Sequence, residues 1–146
     1  MKLSRRGLTF IKRYERFAAT VYRDAAGKPT IGYGHLIRDG ETFGRITKAR
    51  ALEILAVDVG VAERAVERLV QVPLSQGQFD ALVSFVFNVG GGAFADSTLL
   101  KRVNAREHAF APMELTRWIY ANKKPLLGLA RRRADEAVMY VRDDPL

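Results

Sequence analysis

Two carboxylates and a hydroxyl group follow one another closely near the start of the chain. Glu15 and Asp24 are nine residues apart, and Thr30 comes six residues after Asp24. If Glu15 lies in the last turn of a helix, the helix dipole and burial in a groove both favour its protonated form. A carboxyl group that keeps its proton near neutral pH can act as a general acid.

The residues around Asp24 predict a hairpin that brings its carboxylate close to Thr30. Asp24 opens the turn segment DAAGKP, and Thr30 follows in a strand, so the two side chains can share one face. A carboxylate and a hydroxyl can hold one water molecule between them. An acid on one side and a held water on the other can cleave a glycosidic bond with inversion. Each residue alone also has a structural explanation, as a solvated helix end, a turn cap or a strand residue.

The hydrophobic pattern predicts the elements that must position these groups. We expect a first helix over residues 4–17, a hairpin over 20–37 and a long helix over 48–70 that Thr47 caps. Ser75 and Gln78 form a capping box before an apolar helix, which should be the buried central one. The remaining expected elements are helices near 97–104 and 112–121, a loop over 122–128 and a last helix over 129–142.

This order of elements predicts an α+β fold that is predominantly α-helical. A length of 146 residues suits one domain with a sizeable core. We expect a β lobe at about 18–46, a linking helix at about 48–70, and a larger helical lobe made of 1–17 and 71–146. A cleft between two lobes is a common place for a ligand.

Composition argues against several kinds of site and partner. The chain has no cysteine and only two histidines, so we expect no disulfide, no metal site and no cofactor. Its first residues mix basic and apolar side chains, which predicts neither a signal peptide nor a membrane helix. A net charge of +8 favours polyanions such as nucleic acid, anionic lipid or a bacterial wall, and charge alone does not choose among them.

The motif E-x8-D-x5-T at Glu15, Asp24 and Thr30, followed by IGYGH, resembles the phage-type lysozymes, the T4- and P22-like endolysins of glycoside hydrolase family 24. Two later segments resemble the same family. They are VPLSQGQFDALVSFVFNVGGGAFADSTLL, and an RW pair followed by GLARRRADEA. Three separated matches in the right order are more specific than one short motif, and they span nearly the whole chain.

The resemblance implies a muramidase with a lysozyme-like fold of two lobes. Such an enzyme hydrolyses the β-1,4 bond between N-acetylmuramic acid and N-acetylglucosamine in peptidoglycan. Glu15 would be the general acid, and Asp24 and Thr30 would position the water, although a nucleophilic or electrostatic role for Asp24 stays open. Three further positions correspond to the sugar groove of the family: Leu36, Phe87 and Thr98. For the two apolar residues, packing in the core is an equal alternative.

The resemblance also implies supporting contacts around the groove, which would involve His35, Asp58, Asn88, Trp118 and Arg132. The histidine and the aspartate would form a structural pair, and the asparagine would accept a hydrogen bond from the indole N–H. One arginine of residues 131–133 would lie against Glu15 and favour its ionised form, which opposes the helix dipole. The sequence does not decide which of these two effects is larger.

Two features depart from the family pattern. Arg16 stands where family members commonly have a glycine, directly after the acid, and the segment 104–115 fits the family poorly. A long side chain at Arg16 could crowd the groove or change the charge beside Glu15. This departure concerns rate and substrate preference more than the class of reaction.

The leading hypothesis is therefore a monomeric endolysin that acts on peptidoglycan and binds neither nucleic acid nor membrane in a stable way. The family implies that it stays in the host cytoplasm until a holin opens the membrane. One alternative is a lytic transglycosylase, which would not need the water-holding pair Asp24 and Thr30. Another is an inactive basic binder of walls or nucleic acid, but no nucleic-acid-binding motif is recognisable.

Overall fold

The computed structural model describes residues 1–142. The first helix, α1, spans Arg5–Glu15 and begins at Ser4, whose hydroxyl accepts a hydrogen bond from the Gly7 N–H. The helix ends two residues earlier than expected. Arg16 takes φ 59° and ψ 153°, a conformation that cannot continue a right-handed helix.

A three-stranded antiparallel sheet follows α1. Its strands are β1, Ala18–Arg23; β2, Pro29–Gly32; and β3, His35–Leu36, with β2 in the centre. The register pairs Tyr22 of β1 with Thr30 of β2. The hairpin expected over 20–37 is confirmed, and its third strand comes directly after a two-residue turn.

Two long helices carry the centre of the molecule. The linking helix α2, Lys48–Leu69, begins at Thr47, whose side chain accepts from the Arg50 N–H as expected for a cap. The central helix α3, Gln76–Val89, begins with the expected capping box and is buried over eight successive residues, 79–86. Gly90 ends it with φ 93°.

The rest of the described chain forms short elements and one long helix. These are α4, Gly91–Ala95; α5, Thr98–Asn104; a single 3-10 turn, His108–Phe110; α6, Ala111–Leu115; strands β4, Tyr120–Ala121, and β5, Lys124–Pro125; and α7, Leu127–Val141. Helix α3 packs against α2 on one side and α7 on the other. The expected helix over 112–121 is thus limited to α6.

The loop expected over 122–128 is wrong, because β4 and β5 form a hairpin there. Its two turn residues, Asn122 and Lys123, have φ 49° and 66°. Two successive residues with positive φ form the turn that matches the twist of a tight hairpin, and asparagine is favoured in it. Strands of two residues are too short to show alternation in a sequence.

The fold class is as expected, predominantly helical with a small antiparallel sheet. One core joins the helices to the sheet through fully buried side chains such as Ile11, Phe85, Leu99 and Tyr140 and through Tyr33 at the end of β2. Across residues 1–142, every helix is too short or too polar to cross a membrane.

Candidate active site

A cleft of about 1150 Å³ separates the sheet from the helices. Glu15, Asp24 and Thr30 all line it, as do Leu36 and Phe87. A second cavity of about 460 Å³ also has Leu36 and Phe87 in its wall. The two cavities therefore adjoin at these side chains, and together they are called the groove below.

Glu15 reaches this cleft from the last residue of α1, with 14% of its side chain exposed. Arg132 Nη1 lies 2.5 Å from Glu15 Oε2. Arg132 is itself 4% exposed, and its Nη2 donates to the Ser84 carbonyl at 3.3 Å. The structure thus selects Arg132 from the three successive arginines as the partner of Glu15.

The turn between β2 and β3 packs directly on the Glu15 side chain. A β-carbon at Gly34 would lie 2.6 Å from the Glu15 carboxyl carbon, and Gly34 has φ +75°. The backbone conformation favours glycine, and a β-carbon here would force the Glu15 carboxyl group to shift. This turn therefore fixes where the Glu15 carboxyl group can lie.

The residue after Glu15 is strained. Arg16, at φ 59° and ψ 153°, occupies a region that is essentially restricted to glycine. A glycine, which the resemblance leads us to expect at this position, would adopt this conformation without strain. Arg16 keeps it while its side chain is exposed in the wall of the cleft.

Asp24 stabilises a turn and also lies in the wall of the cleft. Its Oδ1 accepts from the Ala26 N–H at 2.9 Å and the Lys28 N–H at 2.8 Å, so it stabilises the turn after β1. Its carboxyl group also lines the cleft. Within residues 1–142, no hydrogen bond engages Oδ2, so this oxygen can accept one from a ligand.

Thr30 is held so that its hydroxyl oxygen can only accept further hydrogen bonds. Its Oγ1 donates to the Lys28 carbonyl at 2.9 Å, and the residue is 2% exposed. A hydroxyl group has a single proton to donate. A water molecule at Thr30 must therefore donate one of its own protons to Oγ1.

Tyr22 is a cleft residue that sequence reasoning missed. It lines the cleft beside its strand partner Thr30. Burial, followed by the negative charges of Glu15 and Asp24, raises the pKa of the Tyr22 phenol. The phenol thus stays protonated and can donate a hydrogen bond near both carboxylates.

A buried group of charged side chains contacts Arg132, the partner of Glu15. Arg133 Nε is 2.9 Å from Glu136 Oε1, although the two are not aligned as a hydrogen bond. Glu136 Oε2 accepts from the Ser84 hydroxyl at 2.6 Å and from Arg132 Nε at 3.4 Å. Burial raises the pKa of Glu136, and it lowers the pKa of Arg133 to about 10, which leaves the arginine charged at neutral pH. Through the hydrogen bond from Arg132 to Glu136, this group holds the Arg132 side chain in place.

The expected hydrogen bond between Asn88 and Trp118 is not found within residues 1–142. The Asn88 carboxamide oxygen accepts instead from Arg133 Nη2 at 2.6 Å. Trp118 packs edge-on against Phe85, with ring centres 5.3 Å apart and planes at 88°. Both residues still line the cleft, but Asn88 joins the charged group and Trp118 joins the core.

His35 has two acidic partners where the resemblance implied one. Its Nδ1 lies 2.7 Å from Asp58 Oδ2, which confirms the expected pair, and its Nε2 lies 3.1 Å from Glu41 Oε1. Glu41 also accepts from the Arg38 N–H. That backbone bond, and then the bond from His35, hold the pKa of Glu41 below its usual value. The histidine thereby ties β3 to α2 and steadies one wall of the groove.

Thr98 lies on α5 and has no place in the walls of the two cavities. It is exposed at the first position of α5 and lines neither cavity. Leu36 and Phe87 do line the groove, and Leu36 is 46% exposed, so core packing does not account for it.

The start of α1 is anchored by acids that the sequence did not single out. Asp80, which is 1% exposed, accepts from the Ser4 N–H at 3.0 Å. Glu63 accepts from the Leu3 N–H at 2.6 Å. These contacts tie the first helix to α2 and α3, and so they set the position of Glu15 at its other end.

The β4–β5 hairpin reaches across the cleft. Asn122 Nδ2 donates to the Ala25 carbonyl, in the turn that Asp24 opens, at 3.5 Å. Tyr120, which is 62% exposed, lines the cleft beside it. The β4–β5 hairpin thus contacts the turn that follows β1.

Comparisons with known proteins give one consistent result. Residues 12–136 match the family described as Phage lysozyme. The endolysin of Salmonella phage P22 is 39% identical over 142 residues, which cover 94% of this chain and 97% of that protein.

Two solved structures are also similar. The muramidase domain of SpmX from Asticaccaulis excentricus has a TM-score of 0.85 at 36% identity, and the match covers 97% of this chain and 98% of that one. An endolysin from Escherichia coli O157:H7 phage FAHEc1 also has a TM-score of 0.85, at 38% identity, with 97% and 94% covered.

Proposed function

The chain belongs to the phage lysozyme family, and from that premise we propose that it hydrolyses the β-1,4 bond between N-acetylmuramic acid and N-acetylglucosamine in bacterial peptidoglycan. The observation that carries this proposal is that Glu15 shares one cleft with the pair Asp24 and Thr30. An inverting glycosidase uses an acid on one side of the bond and a positioned water on the other.

Glu15 is the general acid in this proposal. It transfers its proton to the oxygen of the glycosidic bond as that bond breaks. The carboxylate that remains is negative, and the Arg132 guanidinium at 2.5 Å stabilises it. Since Gly34 leaves the Glu15 side chain little freedom, the proton is delivered from a fixed position.

Asp24 and Thr30 orient the attacking water. The water donates one proton to Thr30 Oγ1, whose own proton is bound to the Lys28 carbonyl, and the other to Asp24 Oδ2. A lone pair of the water oxygen is then free to attack the anomeric carbon. As the new bond forms, Asp24 takes the proton that the water loses, so the product is a reducing sugar with inverted configuration.

The experiment compares the parent chain with Glu15→Gln in a clearing assay on bacteria whose outer membrane has been permeabilised. Glutamine keeps the size of the side chain but cannot supply the proton. We expect a loss of about 10²- to 10⁴-fold in rate. Glu53→Gln is the control, because Glu53 is 69% exposed and lies on α2 outside the cleft. Equal clearing by Glu15→Gln and the parent would remove Glu15 from the mechanism.

The chemistry at Asp24 has its own test. Inversion predicts that the first product carries the anomeric configuration opposite to that of the substrate, which proton NMR resolves during the reaction. Retention would indicate a covalent intermediate on Asp24 instead of a held water. Anhydro-sugars in place of reducing ends would indicate a lytic transglycosylase.

The proposed setting of the enzyme follows from its family and charge. We propose that it acts as a monomer, after a holin-like protein has opened the membrane between the host cytoplasm and the wall. The net charge of +8 supports attraction to an anionic wall. Nucleic acid is not part of the proposal.

A further inference from the structure

We propose that Arg16 and Arg131 form a carboxylate-binding subsite beside the catalytic acid, which recognises the free carboxylates of the peptide stems of peptidoglycan. The inference rests on the proposed function, since it concerns the same cleft. It assigns a purpose to the residue that departs most clearly from the family pattern.

The two arginines flank one ion pair. Arg16 directly follows Glu15, and Arg131 directly precedes Arg132, while Glu15 and Arg132 contact each other at 2.5 Å. Both flanking side chains are exposed, and both line the cleft. A ligand that fills the cleft around Glu15 can therefore meet two accessible guanidinium groups in its wall.

These two charges are also not neutralised. Among residues 1–142, neither Arg16 nor Arg131 forms an ion pair or a side-chain hydrogen bond. Two other arginines of the cleft are paired, Arg13 with Asp135 at 3.6 Å and Arg117 with Glu114 at 3.6 Å. The two unpaired arginines can thus bind an anion without breaking an internal contact.

The backbone at Arg16 strengthens the assignment. The chain places an arginine in a conformation that glycine adopts more easily, at a cost of about 1–3 kcal/mol. Strained residues of this kind cluster at active sites and ligand clamps. Here the side chain gained is a cation in the wall of the cleft.

The chemistry of the substrate fits two guanidinium groups. In peptidoglycan the peptide stems are attached to N-acetylmuramic acid, next to the bond that is cleaved, and they carry free carboxylates. A guanidinium group can bind a carboxylate with two parallel hydrogen bonds. The hydroxyl and acetamido groups of the glycan are neutral, so they cannot form this charged pair with an arginine.

The test uses soluble peptidoglycan fragments that retain their peptide stems, at one fixed ionic strength. One portion is left native, and in the other a carbodiimide converts the free carboxylates to neutral amides. For the parent we expect kcat/KM to fall about tenfold on amidation, through KM, as two exposed ion pairs would give. For the double variant Arg16→Gly with Arg131→Gln, native and amidated fragments should be cleaved about equally well.

A second double variant controls for overall charge. Arg45→Gln with Lys101→Gln removes the same two charges from exposed positions outside both cavities. It should keep the tenfold preference of the parent. Circular dichroism verifies that each variant is folded, and Arg16→Gly also removes the backbone strain.

Two results would overturn the subsite. One is a parent enzyme that shows no preference for native fragments, and the other is a cleft variant that keeps the full preference. Failure of the proposed function looks different, because the parent would then cleave neither substrate. Loss of the preference in both double variants would mean that overall charge, and not the subsite, attracts the substrate.

Discussion

Replacing Gly34 with alanine perturbs the proposed acid without changing any group that reacts. The new methyl group would lie 2.6 Å from the Glu15 carboxyl carbon, well inside van der Waals contact, so the carboxyl group must leave its place against Arg132. A positioned general acid contributes about 10²- to 10⁴-fold to the rate, and we expect a loss of at least 10²-fold in kcat. The positive φ adds a stability cost of about 1–2 kcal/mol.

Gly40→Ala separates these two effects. Gly40 also has positive φ, +87°, but nothing lies within 4 Å of its would-be β-carbon. The free energy of unfolding of Gly40→Ala, measured by urea denaturation, should be lower by about the same 1–2 kcal/mol. The activity of this variant should equal that of the parent. The rate is measured as reducing ends released from soluble glycan under conditions in which all variants are folded.

A double variant tests whether the alanine acts through Glu15. If it does, Gly34→Ala should add little to the loss already caused by Glu15→Gln, since both changes remove one function. Parent-like activity in Gly34→Ala, with the same stability loss as Gly40→Ala, would refute the idea that this turn positions the acid.

Three further predictions concern Arg16, Thr30 and Glu41. Arg16→Gly should raise the free energy of unfolding by about 1 kcal/mol, whereas Arg16→Ala, which keeps a β-carbon at φ 59°, should not; urea denaturation compares them. Thr30→Val should lower kcat about 10²-fold and Thr30→Ser should largely retain it, because only the hydroxyl can accept from the water; equal kcat values would contradict the water-holding role. The folded-state pKa of Glu41 is lowered, so its contribution is present above its unfolded pKa of about 4.3 and is lost as pH falls through the folded pKa. The gap in Tm between the parent and Glu41→Gln should therefore close below about pH 4. A gap that persists there would contradict stabilisation by the ionised Glu41 carboxylate, which accepts from the Arg38 N–H and contacts His35.

Local patterns predicted the parts of the fold that local physics determines. The caps at Thr47 and Ser75 could be read from the sequence because a cap needs only residues within one turn. The end of α1 was misplaced by two residues, since side-chain periodicity does not reveal the positive φ of Arg16. The β4–β5 hairpin was missed because its strands are too short to alternate.

The candidate site also combines features that the sequence predicts with features that depend on tertiary packing. The spacing of Glu15, Asp24 and Thr30 was recognisable, but the contact of Gly34 with the acid depends on how the sheet packs on α1. Long-range partners were invisible for a related reason. The packing of α7 on α3 makes Arg133, and not Trp118, the hydrogen-bond donor to Asn88, and the sequence does not show this packing.

Hydrolysis with Glu15 as the general acid is tested most directly by mass spectrometry of the products that the parent and Glu15→Gln form in water enriched in oxygen-18. We expect each cleavage by the parent to add one labelled oxygen at a reducing N-acetylmuramic acid end. We expect Glu15→Gln to form this product at least about 10²-fold more slowly. Unlabelled anhydro-sugars from the parent, or equal labelled product from the variant, would contradict hydrolysis by an acid at Glu15.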